Sequence, residues 1–566
     1  MSNITQLTLG GFQTIKHVSL IDLAPITLLF GPNSSGKSSI QDALDLARDL
    51  YTLPSLRCHE VENERIFQMG HLYRLDGVDF EETPIGKNWR RIAPHRGDVA
   101  SFDGDMTFGA TFLVGAEDII PRPHEKGSDF DFYLKEDQEL VECRLLSRFW
   151  LRNYEDHEEY DDGVFLHRDF SLEIEGKIFA HNEGEGDFKV NLSHPSVSYI
   201  GSRDSLLWRH ERYSDECVAF TQGDWLVFQK TNIVHINQWL KLWHGWSNED
   251  FIPESDHPAN NVRQYYNTLI ERIMRAASST FNHVEASRKL PSNADLSFSF
   301  TGDPDRQMPS WWSSGEKQKS LVNTYGFERT ASTEYESLAF SCALSIPEYT
   351  NTPSLVHTDG DYQNLLVEVN RFLSDYLFIE RGYQVRFKAA VAMELESYRE
   401  TFSSLGDECY LWPHELFIRM YLEDSNGLEL DFSEVGSGLG YVLPVLVASA
   451  SGAAALIQQP ELHLHPALQA AIADVFIDSA QSKRLTVIET HSEHLLLRFL
   501  KRIRLQNSQR CVESGLTAEQ LAIYYFDSDP SGTTSVVRIR VSDDGDFLDP
   551  WPRGFFEERA RELFDE

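Results

Sequence analysis

A chain of 566 residues is too long for one hydrophobic core, so a main domain with insertions or appended modules is expected. Its 41% hydrophobic and 12% aromatic content is that of a folded, soluble protein, while 51 basic against 88 acidic residues, a formal charge of -37, oppose nonspecific attraction to a phosphate backbone. The six cysteines (Cys58, Cys143, Cys217, Cys342, Cys409, Cys511) form no CxxC pair, which argues against a disulfide framework or structural zinc and for a reducing compartment, the cytoplasm. The opening "MSNITQLTLGG" lacks the basic and apolar regions of a signal peptide.

In chain order, "ITQLTL", "HVSLIDL" and "ITLLF" read as strands that lead into "GPNSSGKS". The segment after it has helical spacing in Ile40, Leu44 and Ala47. This strand, loop and helix carry the strongest chemistry in the sequence. Gly31 and Gly36 permit the tight turn that aims backbone N–H groups at phosphate, Lys37 reaches the β and γ oxygens of a nucleotide, and Ser38 offers a hydroxyl ligand for Mg²⁺. Asn33, Ser34, Ser35, Gly36, Lys37, Ser38 and Ser39 are therefore the expected nucleotide-binding residues, with ATP and Mg²⁺ as cofactors.

From Tyr51 to Asp361 the pattern weakens. "DFSLEIEGKIFAH" and "FKVNLSHPSVSYIGSR" suggest antiparallel strands, and "NQWLKLWHGW" and "NNVRQYYNTLIERIMRAASSTF" suggest helices. No sustained heptads appear, which argues against a long coiled-coil arm. The acidic run "YEDHEEYDDG" reads as a solvated loop before it reads as a cation site, and the basic "RLLSRFWLR" and "RFLKRIR" as ion-paired faces before a nucleic-acid contact. Regular order resumes at Tyr362 with helix "YQNLLVEVNRFLSDYL", strands "YQVRFKAAV" and "ELFIRMYLED", and strand "LELDF". A Gly-rich turn and helix follow, then strand "AALIQ", helix "PALQAAIADVFIDSAQS", strand "RLTVIET", helix "SEHLLLRFLKRIR" and strands "LAIYYFD" and "TSVVRIRVS". Strands alternating with helices imply a parallel sheet with covered faces. The apolar Tyr441–Ile457 carries serines and Pro444 and runs into "QQPE", so it reads as a buried helix and strand, not a membrane span.

"IQQPELHLHP" is the odd segment. An ATPase strand in this rhythm ends in a carboxylate that orients Mg²⁺, followed by one that activates water; those places read Gln458 and Gln459. An amide oxygen is a weaker metal ligand and a poor proton acceptor. Glu461 is the one carboxylate close by that could compensate, with Glu434 a less suitable substitute, and slow hydrolysis is expected. His463 and His465 invite a zinc reading, but no third ligand has persuasive spacing.

"LAPITLLFGPNSSGKSSIQDAL", "FSEVGSGLGYVLPVLVA", "IQQPELHLHP" and "IETHSEHLLLR" together resemble the ABC-type ATPases related to the SMC, RecF and OLD proteins. In that resemblance the last three segments are the signature loop, the Walker B segment and the switch histidine. "GDFLDPWPRGFF" resembles the C-terminal block of a prokaryotic subgroup, and "YIGSRDSLLWRHERY", with Arg203, an internal motif of it. The resemblance implies an α/β fold: an ABC/SMC-like head with a mixed sheet and a large α+β insertion between Walker A and the signature motif. The expected layout is residues 1–50 and 362–541 for the head, 51–361 for the insertion and 542–566 for a tail block.

It further implies a homodimer, or a higher even-numbered homo-oligomer, closed around nucleotide. Ser437 and Gly438 would meet the γ-phosphate held by the other subunit, and His491, flanked by Glu489 and Ser492, would sense it beside Gln459 and Glu461, with Ser38 and Gln458 toward Mg²⁺. "SSGEKQ" at Ser313 competes for the signature role but lacks an apolar helix behind it. Relatives of this architecture serve in antiphage systems beside a separately encoded nuclease or toxin, and the stretch after His491 is too short for the nuclease module of OLD-type relatives. A partner effector is thus expected, with direct nucleic-acid binding disfavoured and no membrane involved. The alternatives are a nucleotide-binding scaffold without turnover and a DNA-repair or chromosome-structure ATPase that grips DNA.

Overall fold

The computed structural model describes residues 4–51, 58–61, 64–67, 106–116, 132–134, 139–154, 163–182, 188–199, 202–209, 217–228, 281–288, 297–301, 338, 341–342, 364–392, 415–432, 434–451, 454–482, 484–508, 515–530 and 532–552. The helix expected over 237–246, that over 260–281 except Phe281, which begins a strand, the acidic residues 155–162 and the Ser-rich break at 308–323 lie outside them.

The chain opens with β1 (Ile4–Gly10), β2 (Ser19–Asp22), β3 (Ile26–Phe30) and α1 (Ser38–Tyr51). Among the strands that follow are β4 (Met106–Gly115), β5 (Leu140–Tyr154), β6 (Gly163–Ile174), β7 (Lys177–Asn182), β8 (Phe188–Asn191), β9 (Trp208–Arg209), β10 (Cys217–Gln222) and β11 (Trp225–Phe228). Then come β12 (Phe281–Val284), β13 (Ser297–Thr301), α2 (Leu365–Phe372), β14 (Gln384–Ala392) and β15 (Glu415–Glu423). The C-terminal run is α3 (Ser437–Ala450), β16 (Ala454–Gln458), α4 (Pro466–Gln481), β17 (Thr486–Glu489), α5 (Glu493–Asn507), β18 (Leu521–Ser528) and β19 (Thr534–Ile539). Two compact units divide these elements. The first comprises Met1–Ala24, Leu29–Phe281 and Ala522–Arg538, the second Pro25–Leu28, Asn282–Leu521 and Ile539–Glu566.

Within the first unit a ten-stranded sheet runs in the order β9-β10-β11-β8-β7-β6-β5-β4-β1-β2, antiparallel throughout. Its register sets Leu7, Leu9, Phe108, Ala110, Phe112, Leu145 and Leu172 on one face, and all seven are fully buried. That is the period of two expected of a half-covered sheet. The "EIEGKI" segment makes the β6–β7 hairpin, with Glu175 and Gly176 both left-handed at φ 50° and 70°. Arg203 braces the neighbouring β10–β11 turn: its guanidinium donates to the Gly223 carbonyl at 3.2 Å and Asp224 Oδ1 at 2.9 Å, and bonds Ser193 Oγ.

In the second unit β12, β16 and β17 lie side by side, and β16 and β17 pair in parallel from Ala455 opposite Thr486 to Gln458 opposite Glu489. β3 and β17 are buried at every residue and β16 at all but its last, so each reads as an unbroken apolar run instead of an alternation. In the second unit α3, α4 and α5 bury Leu443, Phe476 and Phe499 completely. Apolar Tyr441–Ile457 resolves into the end of α3 and most of β16, and among the described residues no helix is long and apolar enough to cross a membrane. β13, β15 and β14 form a separate antiparallel sheet, with Glu429–Leu430 added on β15. Helices between parallel strands of a mixed sheet give the α/β architecture expected of an ATPase head.

One expected helix differs. Of the helix expected over Tyr362–Leu377, Leu365–Phe372 is α-helical and Leu373–Leu377 form a π turn, closed by Phe378 N donating to Leu373 O at 2.8 Å. The wider turn keeps Phe372, Leu373 and Leu377 buried. Tyr376 and Arg371 meanwhile both reach Asp478 on α4, at 3.0 Å and 2.6 Å. Cys143 and Cys342, the two cysteines whose side chains are described, are buried and not joined in a disulfide.

Candidate nucleotide site

The loop between β3 and α1 lies in the first unit and takes a conformation that its glycines make possible. Gly31 and Gly36 have φ of +147° and +93°, and Ser34 is left-handed at 62°. A Cβ on Gly36 would stand 2.5 Å from Thr14 Oγ1 and 2.7 Å from Thr534 Oγ1, so those hydroxyls occupy the space a side chain would need. Thr534, at the start of β19, donates through Oγ1 to the Ser35 carbonyl at 2.8 Å and through its backbone N to Thr14 O at 2.8 Å. The loop is therefore buttressed from behind.

Lys37 is buried at 3% exposure and folds onto its own loop, donating to the carbonyls of Gly31 at 3.0 Å and Pro32 at 2.8 Å. These bonds hold the ammonium at the loop's rim, where it can exchange a carbonyl for a phosphate oxygen. Ser35 Oγ is buried without a hydrogen-bond partner, Asn33, Ser34 and Ser38 are exposed, and Ser39 donates to Gln13 Oε1. α1 begins at Ser38, so its first N–H groups and the positive end of its dipole face the loop. A cradle too tight for any Cβ, a buried cation and a helix N-terminus together fit a polyphosphate.

The remaining predicted residues belong to the second unit. Gln459, at the end of β16, is left-handed at φ 43° and donates from its N to Glu489 O at 2.7 Å. The turn then brings Glu461 under the end of β17. Glu461 Oε1 accepts from His491 N at 2.7 Å and Oε2 accepts from Thr490 Oγ1 at 2.8 Å. Burial pushes the Glu461 carboxyl up, opposed by those two bonds, by one from its own backbone N and by the charge of Arg288. Ser492 caps α5, accepting from Leu495 N at 3.1 Å, and donates to Gln469 Oε1 at 2.8 Å. Glu489, Thr490 and Ser492 are all buried. His491 is thus fixed from both sides through its neighbours.

Ser437 is exposed at the first turn of α3, whose N-cap Gly436 supplies no side-chain bond. Gly438 lies against the loop after β16: a Cβ there would come within 3.1 Å of His463 O. His463 stacks on Tyr441 at 4.2 Å, and His465 caps α4 by accepting from Ala467 N at 3.3 Å. The two histidines are engaged separately, and among the described residues no group of three His, Cys, Asp or Glu could hold a metal. Glu434 accepts from Asp431 N at 2.8 Å, shaping the turn before α3.

Two oxygens, those of Ser38 and Gln458, are expected toward Mg²⁺. Ser38 offers an exposed hydroxyl beside the phosphate cradle. Gln458 Oε1 accepts from Ala286 N at 3.0 Å. Residues 285–288 were not singled out from sequence. Arg288 donates to the carbonyls of Gln458 at 2.9 Å and Gln459 at 2.8 Å, a contact between residues about 170 apart that no local pattern could announce. The C-terminal block packs on α5: Arg504 bonds Asp544 O at 3.1 Å and Asp546 at 2.9 Å, and Phe547 meets Trp551 edge to face at 5.3 Å.

A family model described as "AAA domain, putative AbiEii toxin, Type IV TA system" matches residues 26–498, and one described as "Protein of unknown function (DUF3696)" matches residues 516–565. No curated protein matches the chain. Among solved structures, an SMC head bound to the C-terminal winged-helix domain of ScpA aligns at 12% identity over 95% of this chain and 98% of its own, with a TM-score of 0.35. The SMC head domain from Thermotoga maritima aligns at 10% identity over 95% and 100%, TM-score 0.32. An SMC head with an extended coiled coil, bound to the C-terminal domain of ScpA derived from Pyrococcus furiosus, aligns at 10% over 95% and 97%, TM-score 0.33. Likeness at this level carries no argument about function.

Proposed function

The chain belongs to this AAA-domain family of nucleotide-binding ATPases, and we propose that it is a slowly hydrolysing ATP switch that closes as a homodimer and controls a separately encoded effector in prokaryotic defence. ATP binds through Asn33 to Ser39, with Lys37 on the β and γ oxygens and Ser38 toward Mg²⁺. Ser437 and Gly438 of one subunit read the γ-phosphate held by the other, and His491 reads its own. The head comprises residues 1–50 and 362–541, with 51–361 inserted and 542–566 as a tail block, and the chain works in the cytoplasm.

The observation that carries the reading is the grip of Glu461 on Thr490 and His491, which couples the end of β16 to the histidine of the switch. A carboxylate so held can transmit the presence of a γ-phosphate, and with one hydrogen bond on each oxygen it keeps lone pairs that can accept a proton. With glutamines at 458 and 459, turnover is slow, and slow turnover suits a timer. The family description names a toxin of a toxin–antitoxin system, which supports a role in defence.

A second reading, a scaffold that binds ATP without turning it over, is favoured by the hydrogen bond from Ala286 N to Gln458 Oε1. The tests are light scattering of the intact chain with and without ATP, phosphate release, and pull-down of the tagged chain expressed with its neighbouring genes. ATP-dependent dimerisation with slow release and a co-purifying partner supports the switch. Dimerisation with release at background and no partner supports the scaffold.

A further inference from the structure

The end of β16 carries glutamines at 458 and 459 where carboxylates are expected, yet it is firmly tied. Segment 285–288, directly after β12, makes three bonds to it. Ala286 N donates to Gln458 Oε1 at 3.0 Å, and the two terminal nitrogens of Arg288 divide between Gln458 O at 2.9 Å and Gln459 O at 2.8 Å. A further contact, from Arg288 Nη1 to Glu285 O at 3.2 Å, sets the guanidinium's own orientation. Two adjacent carbonyls held by one planar fork fix the peptide between them, a geometry that suits Arg far better than Lys.

The residue that follows this pinned peptide is the left-handed Gln459, at φ 43°. A non-glycine residue costs about 1 kcal/mol or more in that region and stays there only where its surroundings enforce it. Gln459 N on Glu489 O at 2.7 Å is one enforcing contact, and the Arg288 fork on Gln459 O is the other. Two residues on, the turn delivers Glu461 to Thr490 Oγ1 and His491 N.

We propose that Arg288 is a positioning residue: by forking onto the carbonyls of Gln458 and Gln459 it holds the left-handed turn that carries Glu461 to the switch segment, so the segment after β12 sets the order of Thr490–His491. Arg288 acts through the peptide and through Glu461 and touches neither nucleotide nor metal in this role. Residues 281–288 lie within the expected insertion, 51–361, so a change there reaches the switch segment through Arg288. The assignment of His491 as the switch rests on the proposed function, but the mechanical link to Arg288 does not.

The test is amide hydrogen exchange of the full chain, followed by mass spectrometry, for wild type, Arg288→Ala and Arg288→Lys. In Arg288→Ala, exchange in peptides covering 459–464 and 489–495 rises about tenfold, while a peptide over 29–43 stays unchanged. Arg288→Lys, which keeps the charge but cannot fork, gives a smaller rise in the same two peptides, and millimolar guanidinium restores protection to Arg288→Ala only. Wild-type protection at 489–495 in both variants overturns the proposal. So does an equal rise across all peptides in both variants, which would make Arg288 a general structural residue. Turnover is measured alongside: a wild type that does not hydrolyse ATP removes the ATPase reading and leaves the exchange result standing.

Discussion

Replacing Glu461 by Gln separates the two jobs a carboxylate at this position could do. The amide keeps the shape, and its oxygen can still accept from His491 N, now at 2.7 Å from Oε1; Thr490 Oγ1, at 2.8 Å from Oε2, can rotate to accept from the new NH₂. Bonds to a charged acceptor contribute about 1.5–3 kcal/mol and neutral ones about 0.5–1.5, so neutralising two bonds costs about 2 kcal/mol. The burial that pushes this carboxyl up is relieved at the same time, and the net change in stability is about 1 kcal/mol or less. Loss of a general base, by contrast, slows turnover about 100- to 10,000-fold, or about 3–5 kcal/mol in the barrier. The two quantities are far enough apart to be told from each other. Urea unfolding and single-turnover phosphate release on Glu461→Gln, with Glu461→Ala as the variant that strips both bonds, measure them. The expected result is near-native stability with release slowed at least tenfold; an unchanged rate in Glu461→Gln refutes any part for this carboxylate in hydrolysis.

Three further outcomes are expected. Gly36→Ala puts a methyl 2.5 Å from Thr14 Oγ1 on a backbone at φ +93°, and should lose about 1–3 kcal/mol in urea unfolding along with most ATP affinity. Asp474, 8% exposed, holds both Arg498 and Arg502, so Asp474→Ala removes the carboxylate the two guanidinium groups share and should cost about 3–5 kcal/mol in the same assay. The raised Glu461 carboxyl also has a signed pH consequence. Between the ordinary glutamate value and its raised value the folded chain binds a proton that the unfolded chain does not. As pH falls through that window, Glu461's contribution to stability therefore rises while phosphate release falls, and parallel unfolding and rate profiles against pH check the opposite signs.

The phosphate loop was legible because its chemistry is local: two glycines, a lysine and a serine in fixed order make the turn, and the neighbouring strand and helix announce themselves by pattern. The same holds for β16, α4, β17 and α5, whose buried parallel strands are unbroken apolar runs and whose helices are long. The π turn at Leu373–Leu377 was not legible, because it answers to Asp478 on another helix. Arg288 was missed for the same reason. A guanidinium bound to two backbone carbonyls leaves no trace in the identity of the residues it holds, since any residue at 458 or 459 presents a carbonyl. Glu461 stood out by charge alone; what it holds, a hydroxyl and a backbone N–H some thirty positions on, became visible only in the fold.

The central claim is that ATP is held by the loop from Gly31 to Ser38 with Lys37 on its terminal phosphates. Calorimetric titration of ATP into the intact wild type and into Lys37→Ala tests it most directly, with urea unfolding to establish that both are folded. The account predicts saturable binding by wild type and none measurable for the variant at the same concentrations; equal affinity in the two would contradict it.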